Sequence, residues 1–229
     1  MLWRWALNTN FFAEGSPLSL FEFKKIEKED PLFHEVLALR YKVYCEERGF
    51  EDPQDHPDGL ERDEYDPHAV HFAALLKSTR KVVGTVRLIL HSESSFPIER
   101  AFTFNKDLSH LHPRQMGEVS RLALSKSYCQ ELQQARLRSD SEAGAVVNGL
   151  LRCLAEESLE RGISHLYAVM ARGLPILMAR RKVLFSQIGP EREYHGLRAP
   201  YLGAVRDIVN RNPVIFHTCQ AETPLEAVA

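Results

Sequence analysis

Hydrophobic and polar positions divide the chain into short blocks, each with the period of one kind of element. Leu20–Ile26 reads as a strand. Asp30–Arg48 follows as a helix, with Asp30 as N-cap, Pro31 in the first turn and Gly49 as its stop. An acidic, proline-containing loop runs on to Pro67, and strands at Val70–Leu76 and Val82–Leu90 flank a turn over Lys77–Lys81. After an irregular stretch, Gly117–Leu124 is a further strand. The capping box Ser139-x-x-Glu142 opens a long helix that ends at Gly162 and buries Val147, Leu150, Leu151 and Leu154. His165–Met170 is a buried strand, Leu174–Arg181 a helix, Val183–Ile188 a strand, and a helix is expected near Ala204–Asn210. From Pro213 the pattern is ambiguous. Antiparallel strands first and β-α-β units afterwards predict an α/β fold: a mixed, mostly antiparallel central sheet flanked by helices.

Three arginines interrupt this pattern. On the first helix Phe33, Leu37, Arg40 and Tyr44 fall within about 40° of one direction, so Arg40 lies in an apolar stripe. Arg87 sits inside Val82–Leu90, a run that otherwise reads as buried on both faces, and Arg121 does the same in Val119–Leu124. A guanidinium stays charged, and its removal from water is costly unless it is paired and hydrogen-bonded. The partners on offer are Glu61, Asp63 and Asp66 in the acidic loop, and Glu118. A buried charge network of this kind points to a site for a polar substrate. The alternatives are an ion cluster that only fixes the fold, or a solvated acidic loop.

Composition narrows the classes. A chain of 229 residues with 44% hydrophobic positions suits one domain with a full core. The division expected is an arm over 1–19 and a domain over 20–229. A net charge of −2 argues against nucleic-acid binding. The charge is nevertheless segregated: Glu51–Asp66 holds eight acidic residues and one basic, while Ala171–Arg211 holds eight basic and three acidic. The four cysteines form no C-x-x-C pair, which fits a reducing compartment. Arg4 and Asn8 break the apolar character of the first ten residues, unlike a signal peptide, and no apolar run is long enough to cross a membrane. A cytoplasmic protein is expected, with Trp3, Trp5, Phe11 and Phe12 in an arm that packs on the domain or touches lipid, so that membrane contact is at most peripheral. His68 and His71 would face opposite sides of a strand and have no third convergent ligand, so no metal site is expected.

The same residues carry a family resemblance. Arg40-Tyr-Lys-Val-Tyr44, Glu47-Arg-Gly-Phe50, Glu61-x-Asp63-x-x-Asp66, Arg87 and Glu118-x-x-Arg121 resemble the motif set of acyl-homoserine-lactone (autoinducer) synthases. Tyr44–Asp52, Val83–Leu88 and Ile188–Tyr201 are more similar to N-acyl amino acid synthases and to acyltransferases associated with the PEP-CTERM/exosortase system. The likeness runs from about Asn10 to Gly203. It implies a GNAT-like acyl-CoA N-acyltransferase fold that moves a fatty acyl group from a thioester carrier to an amine. In the resembling families the glutamate matching Glu118 is a proposed base.

Amide formation from a thioester needs a deprotonated amine beside the carbonyl and help for the tetrahedral oxyanion. A free α-amino group has a pKa of about 8, within reach of a carboxylate base. Glu118, at the start of the central strand, is the candidate. Strand alternation puts Glu118 and Ser120 on one face and Arg121 on the other, so a bulge is needed for Glu118 and Arg121 to share a site. Otherwise Arg121 holds the acidic loop from the opposite face. Backbone N–H groups at such a bulge would stabilise the oxyanion. Arg40, Glu61, Asp63, Asp66, Arg87 and Arg121 would order the acceptor site and Ser120 would line it, with Arg40 or Arg87 as bidentate partner of an acceptor carboxylate. His195 is either a second base or acceptor contact, or a structural loop residue.

An acyl chain would lie between the sheet and the Ser139 helix, against Leu122, Leu124, Val147, Leu150, Met170 and Met178, residues that otherwise read as plain core. Beyond Leu124 no glycine occurs until Gly144, so the backbone cradle for a CoA pyrophosphate is missing. Lys126, Arg136 and Arg138 would instead receive an acyl carrier protein. The reading is an N-acyltransferase with no bound cofactor, using an acyl carrier protein thioester (or acyl-CoA) as co-substrate and a small-molecule amine as acceptor. Its rivals are an acyl-homoserine-lactone signal synthase and a non-catalytic acyl- or carrier-binding module serving exopolysaccharide or protein-sorting machinery.

Overall fold

A computed structural model of the protein describes residues 20–128 and 139–212, the side chains of 139–142 excluded. The N-terminal arm, Arg136, Arg138, the side chains of the Ser139 capping box and the segment from Pro213 lie outside the described residues. One sheet carries eight strands: β1 (Phe21–Ile26), β2 (Ala69–Leu76), β3 (Val82–Leu90), β4 (Met116–Leu124), β5 (His165–Met170), β6 (Ser186–Gln187), β7 (Arg192–Glu193) and β8 (Leu197–Ala204). Their order is β1-β2-β3-β4-β5-β8-β6, with β7 paired to β8. Every pairing is antiparallel except β4 with β5. The helices are α1 (Leu32–Tyr41), α2 (Pro97–Ala101), α3 (Ser139–Glu160), α4 (Gly173–Arg180) and α5 (Val205–Arg211). The mixed, mostly antiparallel sheet expected from the sequence is the observed one.

The first helix begins one residue later than expected, at Leu32 with Pro31 as N-cap, and the Asp30 carboxylate still reaches its first turn, Oδ1 accepting from Leu32 N at 3.0 Å. The helix does not run regularly to Arg48. From Lys42 to Glu47 it widens to π geometry, closed by Arg48 N donating to Val43 O at 3.1 Å, before Gly49 turns at φ +60°. Two further expectations are corrected. Val183–Ile188 yields only the two-residue β6, because the Val183 N–H is spent on Met178 O at the end of α4. Gly189–Tyr201, expected as a loop, instead supplies β7 and most of β8, the full strand Leu197–Ala204. Pro200 argues against a strand because it cannot donate to a ladder. Here only its carbonyl is used, accepting from Ile188 N at 3.0 Å.

The main core lies between one face of the sheet and helices α3 and α5. Phe23, Phe72, Val86 and Leu88 meet Val146, Leu150 and Leu154 there. Gly149 makes the approach possible: a Cβ on it would come within 2.0 Å of the Phe23 ring. A second cluster on the other face packs α2 and its flanks against β5 through Phe96, Ile98, Phe102 and Tyr167. These two layers hold β4 between them.

Candidate active site

The three arginines converge on the acidic loop. Arg40 on α1 is wholly buried, donating Nε to Glu61 Oε2 at 2.5 Å and Nη1 and Nη2 to the two oxygens of Asp66 at 2.7 and 3.2 Å. Arg87 on β3 donates Nε to Ser120 Oγ at 2.9 Å, Nη1 to Asp63 and Asp66 at 2.6 and 2.7 Å, and Nη2 to Asp63 at 2.8 Å. Arg121 donates Nε and Nη2 to Glu61, and Nη2 also to Glu51 at 2.9 Å. The guanidinium charges outweigh the burial that would raise the carboxyl pKa values, so Glu61 falls to about 2 and Asp66 also lies well below its usual value. Arg40 and Arg87 are consumed by these contacts on both edges. Neither has a free fork for an acceptor carboxylate, contrary to the role expected from the sequence.

Two local irregularities bring the residues together. Between Thr85↔Ala123 and Arg87↔Ser120 the β3–β4 register slips, so that Arg121 and Leu122 together oppose Val86. This is the bulge that Glu118 and Arg121 needed to share a site, and it is made with Arg121 at φ 52°. Arg121 thereby both lines the site and holds the acidic loop. The π turn supplies the second irregularity. It sets the Tyr44 ring 5.1 Å from the Arg121 guanidinium and lets the Tyr44 hydroxyl donate to Leu122 O at 3.1 Å.

Glu118 lies across the sheet from Ile89 on β3 and Tyr167 on β5. It is buried, accepts a hydrogen bond from Ile98 N at 3.0 Å, and has no ion pair among the described residues. Burial pushes its pKa up to about 8, against the smaller opposing effects of that bond and of Arg87. A carboxyl held near the working pH can both take and release a proton. Beyond Val119↔Ala168 the parallel β4–β5 pairing stops. Around that divergence lies a cavity of about 150 Å³ lined by Glu118, Val119, Ser120, Arg121, Val169, Tyr44, Phe50 and Tyr65 on one side, and Tyr194, His195 and Arg198 on another. A cavity of about that size holds a ligand of roughly benzene dimensions.

The sequence reading missed the wall formed by the β7–β8 hairpin. His195 adopts φ 51°, and its Nδ1 shares a short hydrogen bond with Phe50 O, so its side chain ties the hairpin to the loop after α1. Arg198 folds back over the Phe50 ring. Both residues stand in the quoted Ile188–Tyr201 motif, but nothing in local spacing showed that the hairpin would reach a loop some 145 positions earlier.

The apolar residues expected to line an acyl tunnel are placed elsewhere. Leu150 and Met178 are buried in the main core, Leu122, Leu124 and Val147 pack against it, and Met170 belongs to a small cluster with Ala168, Ala199 and Tyr201. None of the six lines the cavity at Glu118. Lys126 is exposed just beyond β4. His68 is exposed and His71 buried; among the described residues no group of three metal-ligating side chains gathers. A larger cleft of about 480 Å³, bordered by Lys25, Lys28, His68, His71, His91 and Arg161, approaches the ion network only through His71, whose Nε2 lies 3.6 Å from Asp66.

Residues 39–138, which span α1 to the segment beyond β4, match the family model of the acetyltransferase (GNAT) domain. No curated protein matches the sequence. Among solved structures, TofI in a ternary complex with an inhibitor and MTA is 17% identical, with a TM-score of 0.62 over 85% of this chain and 98% of that one. MesI, a CoA-dependent acyl-homoserine lactone synthase, is 19% identical with a TM-score of 0.59, covering 87% of this chain and 97% of its own. FeeM, an N-acyl amino acid synthase from uncultured soil microbes, is 13% identical with a TM-score of 0.54, covering 85% and 98%. The fold is that of the GNAT acyltransferases. The domain match supports an enzyme that transfers an acyl group; the likenesses to solved structures show the fold.

Proposed function

We propose that the protein is an N-acyltransferase that joins a medium or long acyl chain, delivered as a thioester, to the amine of an amino acid or related small molecule. The observation that carries this reading is Glu118: a buried carboxyl near pKa 8, without a cationic partner, on the wall of a cavity at the point where β4 and β5 part. The acceptor's ammonium gives a proton to Glu118. Its nitrogen attacks the thioester carbonyl carbon, and the C–O π pair moves onto oxygen. In this reading backbone N–H groups of β4 beyond its last pairing with β5 would meet that oxyanion. Collapse breaks the C–S bond; the second proton of the nitrogen accompanies the thiolate, leaving amide, free thiol and the proton on Glu118. No protein nucleophile is needed. The buried network of Arg40, Arg87 and Arg121 keeps this strand edge and the acidic loop in register, and Ser120, held by Arg87, lines the site.

An acyl carrier protein is the proposed donor, on the missing phosphate cradle and on Lys126, Arg136 and Arg138. Affiliation with the exosortase-associated group rests on the Ile188–Tyr201 motif. No described helix is long and apolar enough to cross a membrane, and we place the enzyme in the cytoplasm. The acyl-homoserine-lactone synthase reading is favoured by the likeness to MesI. One experiment separates the two: mass spectrometry of lipids from cells expressing the protein, against cells expressing Glu118→Gln. N-acyl amino acids that appear only with the unaltered chain support the proposal. Acyl-homoserine lactones would replace it with the rival, and no acylated product would leave a non-catalytic module.

A further inference from the structure

The β7–β8 hairpin brings to the cavity a cation that the ion network leaves unneutralised. Arg198 donates Nε to the carbonyls of Tyr194 and His195 at 2.9 and 3.2 Å, and Nη2 to His195 O at 2.9 Å. Its guanidinium carbon stands 4.4 Å from the centroid of the Phe50 ring. These contacts fix one edge of the fork. Its Nη1 end has no hydrogen bond, and no carboxylate pairs with it, among the described residues. Burial lowers its pKa, as expected of a charge that has lost water without gaining a counter-ion. Carbonyl oxygens and a ring face orient a guanidinium, but they do not cancel its charge.

The remaining charges of the site close on one another with an excess of the opposite sign. Glu118 apart, Glu51, Glu61, Asp63 and Asp66 meet Arg40, Arg87 and Arg121, four carboxylates to three guanidiniums. Asp63, Glu51 and Arg198 all reach the wall of the cavity that holds Glu118. One negative charge in surplus and one unpaired cation therefore border the same small space. A plain amine would complement only the first. A molecule with an ammonium and a carboxylate complements both, and a carboxylate offers the planar two-oxygen face that a guanidinium end binds best.

We propose that Arg198 anchors the carboxylate of the acceptor, so that the acceptor class is free amino acids and not amines lacking the acid group. The inference rests on the reading of this cavity as the acceptor site. It also moves the carboxylate-binding role from Arg40 and Arg87, whose edges are taken, to a residue on the far strand.

The test uses a set of N-dodecanoyl amino acids and their matching carboxamides as probes, with binding to the full-length protein measured by calorimetry. The unaltered protein is expected to bind at least one acid about tenfold or more tightly than its amide, the scale of one charge-assisted hydrogen-bonded contact. Arg198→Gln should bind acid and amide alike, and Arg198→Lys should keep part of the preference, because it retains the charge without the fork. Circular dichroism verifies folding; if Arg198→Gln does not fold, Arg198→Lys decides by a reduced preference. The inference is overturned if the unaltered protein favours no acid over its amide, or if a folded variant keeps the full preference. Thioester consumption is followed separately. An Arg198-dependent preference without turnover would retain carboxylate binding at Arg198 and remove acyl transfer, whereas turnover without any carboxylate preference would do the reverse.

Discussion

The hydroxyl of Tyr44 donates a hydrogen bond to the main-chain oxygen of Leu122 at 3.1 Å, across 78 positions of sequence. The contact joins the π turn after α1 to the bulge in β4, two places at the site where the backbone leaves its regular course. Removing the hydroxyl in Tyr44→Phe should lower stability by about 1 kcal/mol, the usual net worth of one such bond. Turnover should fall as well, because the bulge positions Arg121. Urea unfolding and steady-state rates measure the two effects. Unchanged values for both would mean that the ion pairs alone hold the bulge.

Asp66 is the most heavily shared carboxylate, taking bonds from Arg40, Arg87 and the Asp63 N–H. Asp66→Ala leaves two buried guanidiniums short of a counter-charge, and such losses typically cost about 3–5 kcal/mol. Denaturant titration should show that loss. A variant as stable as the unaltered chain would show that water reaches the network.

The network also predicts acid sensitivity. Glu61 has its pKa lowered from 4.5 to about 2 by Arg121 and Arg40, against its burial, and Asp66 is lowered too. A depressed carboxylate pKa adds stability that is fully present above the unfolded value and is lost as pH falls through the folded one. The melting temperature should therefore drop between about pH 4.5 and 2, and Glu61→Gln should flatten that drop at the expense of stability at neutral pH. A melting curve of Glu61→Gln with the same acid limb would assign the loss to other groups.

Glu118 behaves in the opposite sense. Its raised pKa, about 8 against 4.5, contributes stability below the unfolded value that is lost as pH rises toward 8. Glu118→Gln should thus gain relative stability between these limits. Its turnover should fall by about 10²–10⁴-fold, the usual worth of a general base. The rise of kcat/KM toward pH 8 should shrink to the part that belongs to the acceptor's own amine. Full turnover when chemistry is rate-limiting would make Glu118 structural.

Donor choice gives a further prediction. Acyl carrier protein thioesters should be used in preference to the same acyl group on CoA, and the preference should shrink with salt, since exposed charges are screened over about 8–10 Å. Charge reversal at Lys126, Arg136 and Arg138 should weaken carrier binding and leave the CoA reaction nearly unchanged. Kinetics with matched donors settle it; equal or better use of acyl-CoA, unaffected by the reversals, excludes the carrier.

Much of the site was legible because electrostatics leaves little freedom. Three guanidiniums in apolar runs and a nearby acidic loop had to meet, and Arg40, Arg87 and Arg121 do meet Glu61, Asp63 and Asp66. The acyl-chain residues were the poorest guide, since an apolar side chain at helical or strand spacing fits a core as well as a tunnel.

The sequence by itself determined the element order, the strands through β5 and the need for carboxylate partners, because hydrophobic period and charge burial act on neighbours or on residue type alone. Tertiary structure decided the rest. A bulge at Arg121 and a π turn before Gly49 each depart from regular backbone, and the contacts that favour them, such as Tyr44 to Leu122 and Arg121 to Glu61, come from 60 or more positions away. The same holds for β8, most of which was expected as loop and which is a strand because it pairs along β5. Arg198 took its place on the cavity wall only through that strand, and no periodicity along one segment could have announced it.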